Sequence, residues 1–135
     1  MTEQARILLI DDDPDFLEST KAVLESRYEV VTANNPQEGL DKALSESPNL
    51  IICDVIMPDI DGFTVAERLK QEKQLSRVPL LMLTSLAARR KEANIPRDRG
   101  VSLQAEDYLD KPVAPAALLA TVESWLNKAQ AWGPA

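Results

Sequence analysis

The chain has 135 residues, with 15 Lys plus Arg against 22 Asp plus Glu for a formal charge of −7, and it contains one cysteine and no histidine. The missing histidine excludes Ser-His-Asp and Cys-His catalysis and histidine-ligated zinc, haem and copper sites, while a lone cysteine forms no internal disulfide and suits a reducing cytosol. The acidic balance argues against direct binding to nucleic acid or an anionic membrane, and no apolar run reaches the ~20 residues of a membrane span.

Five short runs, most of them apolar, predict five β-strands. A continuous apolar run bounded by turn residues is typical of a strand that is buried on both faces of a parallel sheet. In chain order the predicted strands are Ile7–Ile10, Tyr28–Ala33, Leu50–Cys53, Leu80–Leu83 and Asp107–Asp110.

Apolar residues at helical spacing predict four helices among these strands. Asp13 or Asp15 is expected to cap the first helix, and Gly39 is expected to weaken the second. The periodicity covers Phe16–Leu24, Pro36–Glu46, Phe63–Leu69 and Pro115–Gln130. After the fourth strand, proline and glycine residues interrupt any long helix, so we expect an atypical element over Leu86–Gln104.

The alternation of strands and helices predicts an α/β fold, with a doubly wound parallel sheet and helices on both faces. The length predicts one domain over residues 1–130, followed by a frayed tail over residues 131–135. Ligands bind such sheets in a crevice beyond the carboxyl ends of the strands. The residues that follow the strands are therefore the candidate site.

Acidic and polar side chains stand at four of these strand ends: Asp11 and Asp12, then Asp54, Thr84 and Lys111. Three carboxylates in one crevice repel one another, and a hard divalent cation such as Mg²⁺ would compensate for that repulsion. A carboxylate can also act as a nucleophile that forms an aspartyl phosphate, and phosphoryl transfer needs positioned cations and hydrogen-bond donors. The ammonium of Lys111 and the hydroxyl of Thr84 complete a set that fits acceptance of a phosphoryl group by one aspartate.

Four segments carry a family resemblance: I-L-L-I-D-D-D-P, C-D-V-I-M-P-D-I-D-G, L-M-L-T-S and D-Y-L-D-K-P. Over roughly Ala5 to Lys128, the chain resembles a receiver domain of the bacterial response-regulator family. The resemblance implies a flavodoxin-like five-stranded sheet with strand order 2-1-3-4-5. It implies a cytoplasmic switch phosphorylated by a sensor histidine kinase or histidine phosphotransfer protein and acting on an unknown downstream protein. We expect a stand-alone receiver, since residues after 130 leave no room for an output domain.

The resemblance also implies a role for each acidic residue of the crevice. Asp54 would be the phosphoacceptor and Asp12 a direct Mg²⁺ ligand, while Asp11 would act through a metal-bound water. The backbone carbonyl of Ile56 would be the third protein ligand. Since the chain has no histidine, the phosphoryl donor must be another protein or a small molecule.

By the same resemblance, Thr84 and Lys111 would each contact a phosphoryl oxygen, and Tyr108 would be the switch aromatic. Cis peptide bonds are nearly confined to proline, and the resemblance favours one between Lys111 and Pro112. Such a bond would aim the Lys111 side chain into the crevice.

The chain departs from the family pattern at two places. By the resemblance, the residues two beyond Asp54 and two beyond Thr84 would flank the phosphoryl group. Here they are Ile56 and Leu86, and neither apolar side chain can orient an attacking water. We therefore expect slow autodephosphorylation. The resemblance implies self-phosphorylation and autodephosphorylation as the only reactions of this chain. The segment Leu86–Gln104 is longer and more basic than is usual, which favours either a restructured element that contacts an acidic partner or a longer solvated loop.

Other interpretations of these residues stay open. The acidic run after the first strand is by itself typical of a helix-capping turn. Outside the family pattern, Thr84 is typical of a strand end, Lys111 of a surface and Tyr108 of a half-buried strand aromatic. Two other function classes compete with this interpretation. One is a phosphorylation-independent scaffold with the same fold. The other is a haloacid-dehalogenase-type phosphatase, whose D-x-D-x-Thr or Val motif is matched by Asp11 and Asp13 but not at the last position, where Asp15 stands.

Overall fold

The structure is a computed structural model, and it describes residues 4–54, 62–84, 106–111 and 113–131. The strands are β1 (Arg6–Ile10), β2 (Glu29–Ala33), β3 (Leu50–Asp54), β4 (Leu80–Thr84) and β5 (Asp107–Asp110). The helices are α1 (Pro14–Leu24), α2 (Pro36–Glu46), α3 (Gly62–Gln71) and α4 (Pro115–Ala131), with a short 3₁₀ turn at Lys73–Leu75.

The five strands form one parallel sheet in the order β2-β1-β3-β4-β5. This confirms the predicted fold class and strand order. Ile10 pairs with both Ala33 and Cys53, so β1, β2 and β3 end at the same edge of the sheet. β2 and β3 lie on opposite sides of β1, so the strand order reverses at β1. At such a reversal a crevice forms beyond the carboxyl ends of the strands.

Each face of the sheet carries its own apolar core, because successive side chains of a strand point to opposite faces. Leu8, Ile10 and Cys53 belong to a cluster with residues of α2 and α3. Ile7 and Leu9 belong to a cluster with residues of α1 and α4. The two clusters confirm helices on both faces, and they account for the continuous apolar strands of the sequence.

The observed boundaries refine the predicted ones at several ends. Strands β3 and β4 each extend one residue further, to Asp54 and Thr84. Helix α1 begins at Pro14 because the Asp13 side chain accepts hydrogen bonds from the first-turn backbone, so Asp13 rather than Asp15 is the cap. Helix α4 continues to Ala131, one residue into the predicted tail, and residues 132–135 lie outside the described residues.

Gly39 is required by the close approach of α2 to the sheet. A Cβ atom at this position would lie 2.7 Å from Cδ1 of Ile10, which is completely buried. Glycine costs about 1 kcal/mol relative to alanine inside a helix. This cost is tolerated because the absence of a side chain lets α2 pack directly against β1 beside the crevice.

A polar clamp joins α3 to the beginnings of β4 and β5. The Lys70 ammonium lies 2.7 Å from Glu106 Oε1 and donates a hydrogen bond of 2.9 Å to the Val78 carbonyl. Glu106 accepts a hydrogen bond from the Leu80 backbone N–H through Oε2 and donates one from its own N–H to the Leu80 carbonyl. These contacts fix the chain immediately before β5. The segment Leu86–Gln104, for which an atypical element is predicted, lies outside the described residues.

Among the helices in the described ranges, none has the length and apolarity needed to cross a membrane.

Candidate functional site

Three carboxylates meet where β1 and β3 end. Asp11 and Asp12 follow β1 directly, and Asp54 is the last residue of β3. Each of the three offers an oxygen, and these oxygens lie within 4.8 Å of one another. Asp11 is completely buried and Asp54 is 7% exposed, whereas Asp12 is open to solvent. The structure thus brings together the acidic residues that the sequence places at this crevice.

Asp11 uses its two carboxylate oxygens for different partners. Oδ1 accepts a hydrogen bond of 2.9 Å from the backbone N–H of Asp13, which shapes the turn into α1. Oδ2 lies 2.7 Å from Nζ of Lys111 and has no other hydrogen-bond partner among the described residues. Burial raises the pKa of Asp11 above its ordinary value, and the contact with Lys111 opposes that rise. The lysine therefore favours the ionised form of a carboxylate that burial disfavours.

Lys111 follows β5 and reaches across the end of the sheet. Its Nζ lies 2.7 Å from Asp11 Oδ2 and 3.5 Å from Asp54 Oδ2, with the side chain 21% exposed. Burial lowers the pKa of Lys111, but the Asp11 and Asp54 carboxylates outweigh this effect and leave the pKa above its ordinary value. Lys111 is thus a charged group shared by two acids of the crevice, rather than a free surface lysine.

The Lys111 ammonium also lies over the aromatic ring of Phe16, 4.3 Å from the ring centroid. The helical periodicity of the sequence includes Phe16 but does not predict this contact. The contact depends on where α1 starts relative to the end of β5, and helical periodicity alone carries no information about that distance.

The remaining predicted site residues are described only in part. Tyr108 is half-buried in β5 and packs against the core cluster on the α2 and α3 face. Thr84 ends β4, where its backbone pairs with Asp110, and its side chain lies outside what the structure describes. Ile56, Leu86 and Pro112 lie outside the described residues, so their predicted roles and the cis peptide bond stay predictions.

A second contact missed by sequence reasoning ties α4 to β5. Trp125, one of the apolar residues of α4, donates a hydrogen bond of 3.0 Å from its indole N–H to Asp107 Oδ2. Asp107 Oδ1 accepts the backbone N–H of Tyr108, so both carboxylate oxygens of Asp107 are engaged. Cys53 is buried in the core, and burial raises the pKa of its thiol.

The donors at the crevice suit a hard divalent cation. Among the described residues, the clustered donors are three carboxylate oxygens, and one buried carboxylate oxygen has only an ammonium for a partner. The chain has no histidine, and its single thiol, Cys53, is packed in the core. Mg²⁺ prefers carboxylate, carbonyl and water oxygens in octahedral geometry. The residues present therefore fit Mg²⁺ better than a softer metal.

Comparison with known proteins identifies one matching family model and relatives of known name. A family model for the response regulator receiver domain matches residues 7–123. The alkaline phosphatase synthesis transcriptional regulatory protein PhoP of Bacillus subtilis is 35% identical over 130 residues, covering 96% of this chain and 51% of PhoP. Protein PilH of Pseudomonas aeruginosa is 32% identical, covering 90% of this chain and 98% of PilH.

The solved structures agree with this family. A CheY-like response regulator receiver domain protein from Methanospirillum hungatei superposes with a TM-score of 0.80 at 31% identity, covering 97% of this chain and all of that one. The chain spans about half the length of PhoP and of the other transcriptional regulators that it matches.

Proposed function

This chain belongs to the response regulator receiver domain family, and from that premise we propose that it accepts a phosphoryl group on Asp54. The observation that carries the proposal is the position of Lys111, whose ammonium lies 2.7 Å from Asp11 and 3.5 Å from Asp54 beside three converging carboxylates. A buried acid, a shared cation and an oxygen-only donor set are the parts that phosphoryl transfer to a carboxylate requires. Family membership sets aside the haloacid-dehalogenase-type phosphatase.

In the proposed reaction, a carboxylate oxygen of Asp54 attacks the phosphorus of a phosphohistidine on a partner protein. An O–P bond forms as the N–P bond breaks, and the leaving imidazole nitrogen takes a proton from solvent. The product is an acyl phosphate on Asp54 and a neutral histidine on the partner. The donor is external because this chain contains no histidine. A sensor histidine kinase or a histidine phosphotransfer protein would supply it.

Asp12, Asp54 and the proposed backbone carbonyl of Ile56 would bind Mg²⁺ directly, and Asp11 would act through a metal-bound water. When bound, the ion would neutralise carboxylate charge and attract the phosphoryl oxygens. The Lys111 ammonium would shift from Asp11 toward a phosphoryl oxygen, since it already lies between Asp11 and Asp54. We propose that Thr84 and Tyr108 report the change to a downstream protein as a shift between two conformational populations.

The apolar residues Ile56 and Leu86 are proposed to slow hydrolysis of the acyl phosphate on Asp54. Exchanging both in an Ile56→Asn, Leu86→Glu variant is expected to speed autodephosphorylation severalfold, because amide and acidic groups can orient an attacking water. The decay of purified phosphorylated protein, followed by intact mass, measures the rate. Decay of the unaltered protein at least as fast as that of the variant would refute this part of the proposal.

Phosphorylation itself is tested by incubating the chain with phosphoramidate and Mg²⁺ and measuring intact mass. We expect one phosphoryl group on the unaltered protein and none on Asp54→Asn. Asp41→Asn is the matched control, because it removes an exposed aspartate on α2 and is expected to label normally. A folded, unaltered protein that takes up no phosphoryl group would overturn the proposal in favour of a phosphorylation-independent scaffold.

A further inference from the structure

The Lys111 ammonium is held from two sides by chemically different partners. The carboxylates of Asp11 and Asp54 lie on one side, at 2.7 and 3.5 Å from Nζ. The ring of Phe16 lies beneath it, with 4.3 Å between Nζ and the ring centroid. A cation within about 6 Å of an aromatic face is attracted by the ring quadrupole. The ring is therefore close enough to bind the ammonium.

The position of Phe16 is set by the same acid that binds Lys111. Asp11 Oδ1 accepts the N–H of Asp13, and Asp13 Oδ1 in turn accepts the N–H groups of Asp15 and Phe16 at 3.0 and 3.4 Å. These three hydrogen bonds fix the first turn of α1, where Phe16 lies, against the end of β1. Asp11 thus orders the ring through one oxygen and the ammonium through the other.

A ring is suited to a cation that must move. Lys111 is proposed to shift toward a phosphoryl oxygen at Asp54, and a carboxylate or carbonyl beneath it would compete for its N–H groups. The aromatic face offers no acceptor oxygen, and it attracts a cation anywhere over the ring within about 6 Å of the centroid. The ammonium can therefore pass between its oxygen partners while it stays over the ring.

An open cleft lies next to this pair. It has a volume of about 410 Å³ between α1 and α4, and its lining includes Phe16, Lys111, Thr20, Val113 and Leu118. A lysine has a flexible four-carbon stem. Without the ring, the side chain would gain room to turn into the cleft and away from the carboxylates.

We propose that Phe16 is a positioning residue for phosphoryl transfer, which keeps the Lys111 ammonium over the crevice through its aromatic face. The inference rests on the proposed function of Asp54 and adds a role for a residue outside the acidic cluster. The property of Phe16 that acts on Lys111 is its aromatic face, rather than its apolar volume.

The test compares Phe16→Leu, which keeps apolar volume, with Phe16→Tyr, which keeps the ring. We expect Phe16→Leu to slow the initial rate of Asp54 labelling by phosphoramidate and Mg²⁺ about tenfold, and Phe16→Tyr to stay within about twofold of the unaltered protein. The control Lys128→Met removes a similar pair, in which Nζ lies 4.2 Å from the Trp125 ring on α4, and should label normally.

A spectroscopic measurement separates positioning from general destabilisation. The ring current of Phe16 should shift the NMR signals of the Lys111 ε-methylene group, and this shift should be lost in Phe16→Leu and kept in Phe16→Tyr. Labelling of Phe16→Leu at the unaltered rate, or equal slowing in both variants, would overturn the inference. If the unaltered protein does not label at all, the proposed function fails, whereas the NMR shift still reports whether the ring holds the lysine.

Discussion

Lys111→Met is expected to slow labelling of Asp54 by about a hundredfold. This is the typical effect of removing one preorganised hydrogen-bond donor that stabilises charge in the transition state. The same change should lower the free energy of unfolding by about 2 kcal/mol, because it leaves the completely buried Asp11 carboxylate without its cation. This figure lies below the range for fully buried pairs, since the Lys111 side chain is 21% exposed. Urea unfolding and initial labelling rates measure the two effects.

A double variant separates stability from chemistry. Asp11→Asn combined with Lys111→Met removes both charges, so the loss of stability should largely disappear while labelling stays slow. Lys21→Met is the matched control. Among the described residues, the ion pair of Lys21 is an exposed contact of 3.8 Å with Glu25, so its loss should cost less than about 1 kcal/mol. If the double variant were no more stable than Lys111→Met, the ion pair could not explain the destabilisation.

Addition of Mg²⁺ without a phosphodonor is expected to stabilise the folded chain. A ligand that binds only the folded state stabilises it by about 2.7 kcal/mol at one hundred times its Kd. Asp12→Asn should weaken this stabilisation strongly, because Asp12 is the exposed acid of the cluster and both oxygens of Asp11 already have partners. Thermal unfolding over a range of Mg²⁺ concentrations, at constant ionic strength, measures the effect.

The control for this experiment is Asp15→Asn, which removes a nearby exposed acid outside the three-carboxylate cluster. It should respond to Mg²⁺ like the unaltered protein. In the absence of Mg²⁺, Asp12→Asn is expected to be at least as stable as the unaltered chain, because one of three repelling charges is gone. Equal stabilisation of Asp12→Asn and Asp15→Asn by Mg²⁺ would show that Asp12 is not a ligand.

Much of this fold is predictable from the sequence because buried parallel strands leave continuous apolar runs. The runs at Ile7–Ile10 and Leu50–Cys53 predicted β1 and β3 to within a residue. The convergence of Asp11 and Asp54 follows once these strands are neighbours, but periodicity does not determine strand order. The order came from the family resemblance, and the sheet confirms it.

The contacts that tune the site were not predictable in this way. The Phe16 ring beneath Lys111 and the Trp125 indole on Asp107 each join residues far apart in the chain. Their apolar character predicts burial but does not identify a polar partner. The Asp11 carboxylate contacts Asp13 in the turn into α1 and Lys111 at the end of β5. Because these two segments are distant in the chain, neither segment alone predicts both contacts.

The clamp between Lys70, Glu106 and Leu80 determines where β5 starts. It holds the start of β5 beside the start of β4, and its partners lie on α3, on β4 and directly before β5. Lys111 follows β5 directly, so its distance to Asp11 and Asp54 depends on this anchor at the opposite end of the strand. A contact at the amino end of the sheet thus sets the register that brings the lysine to the acids at the carboxyl end.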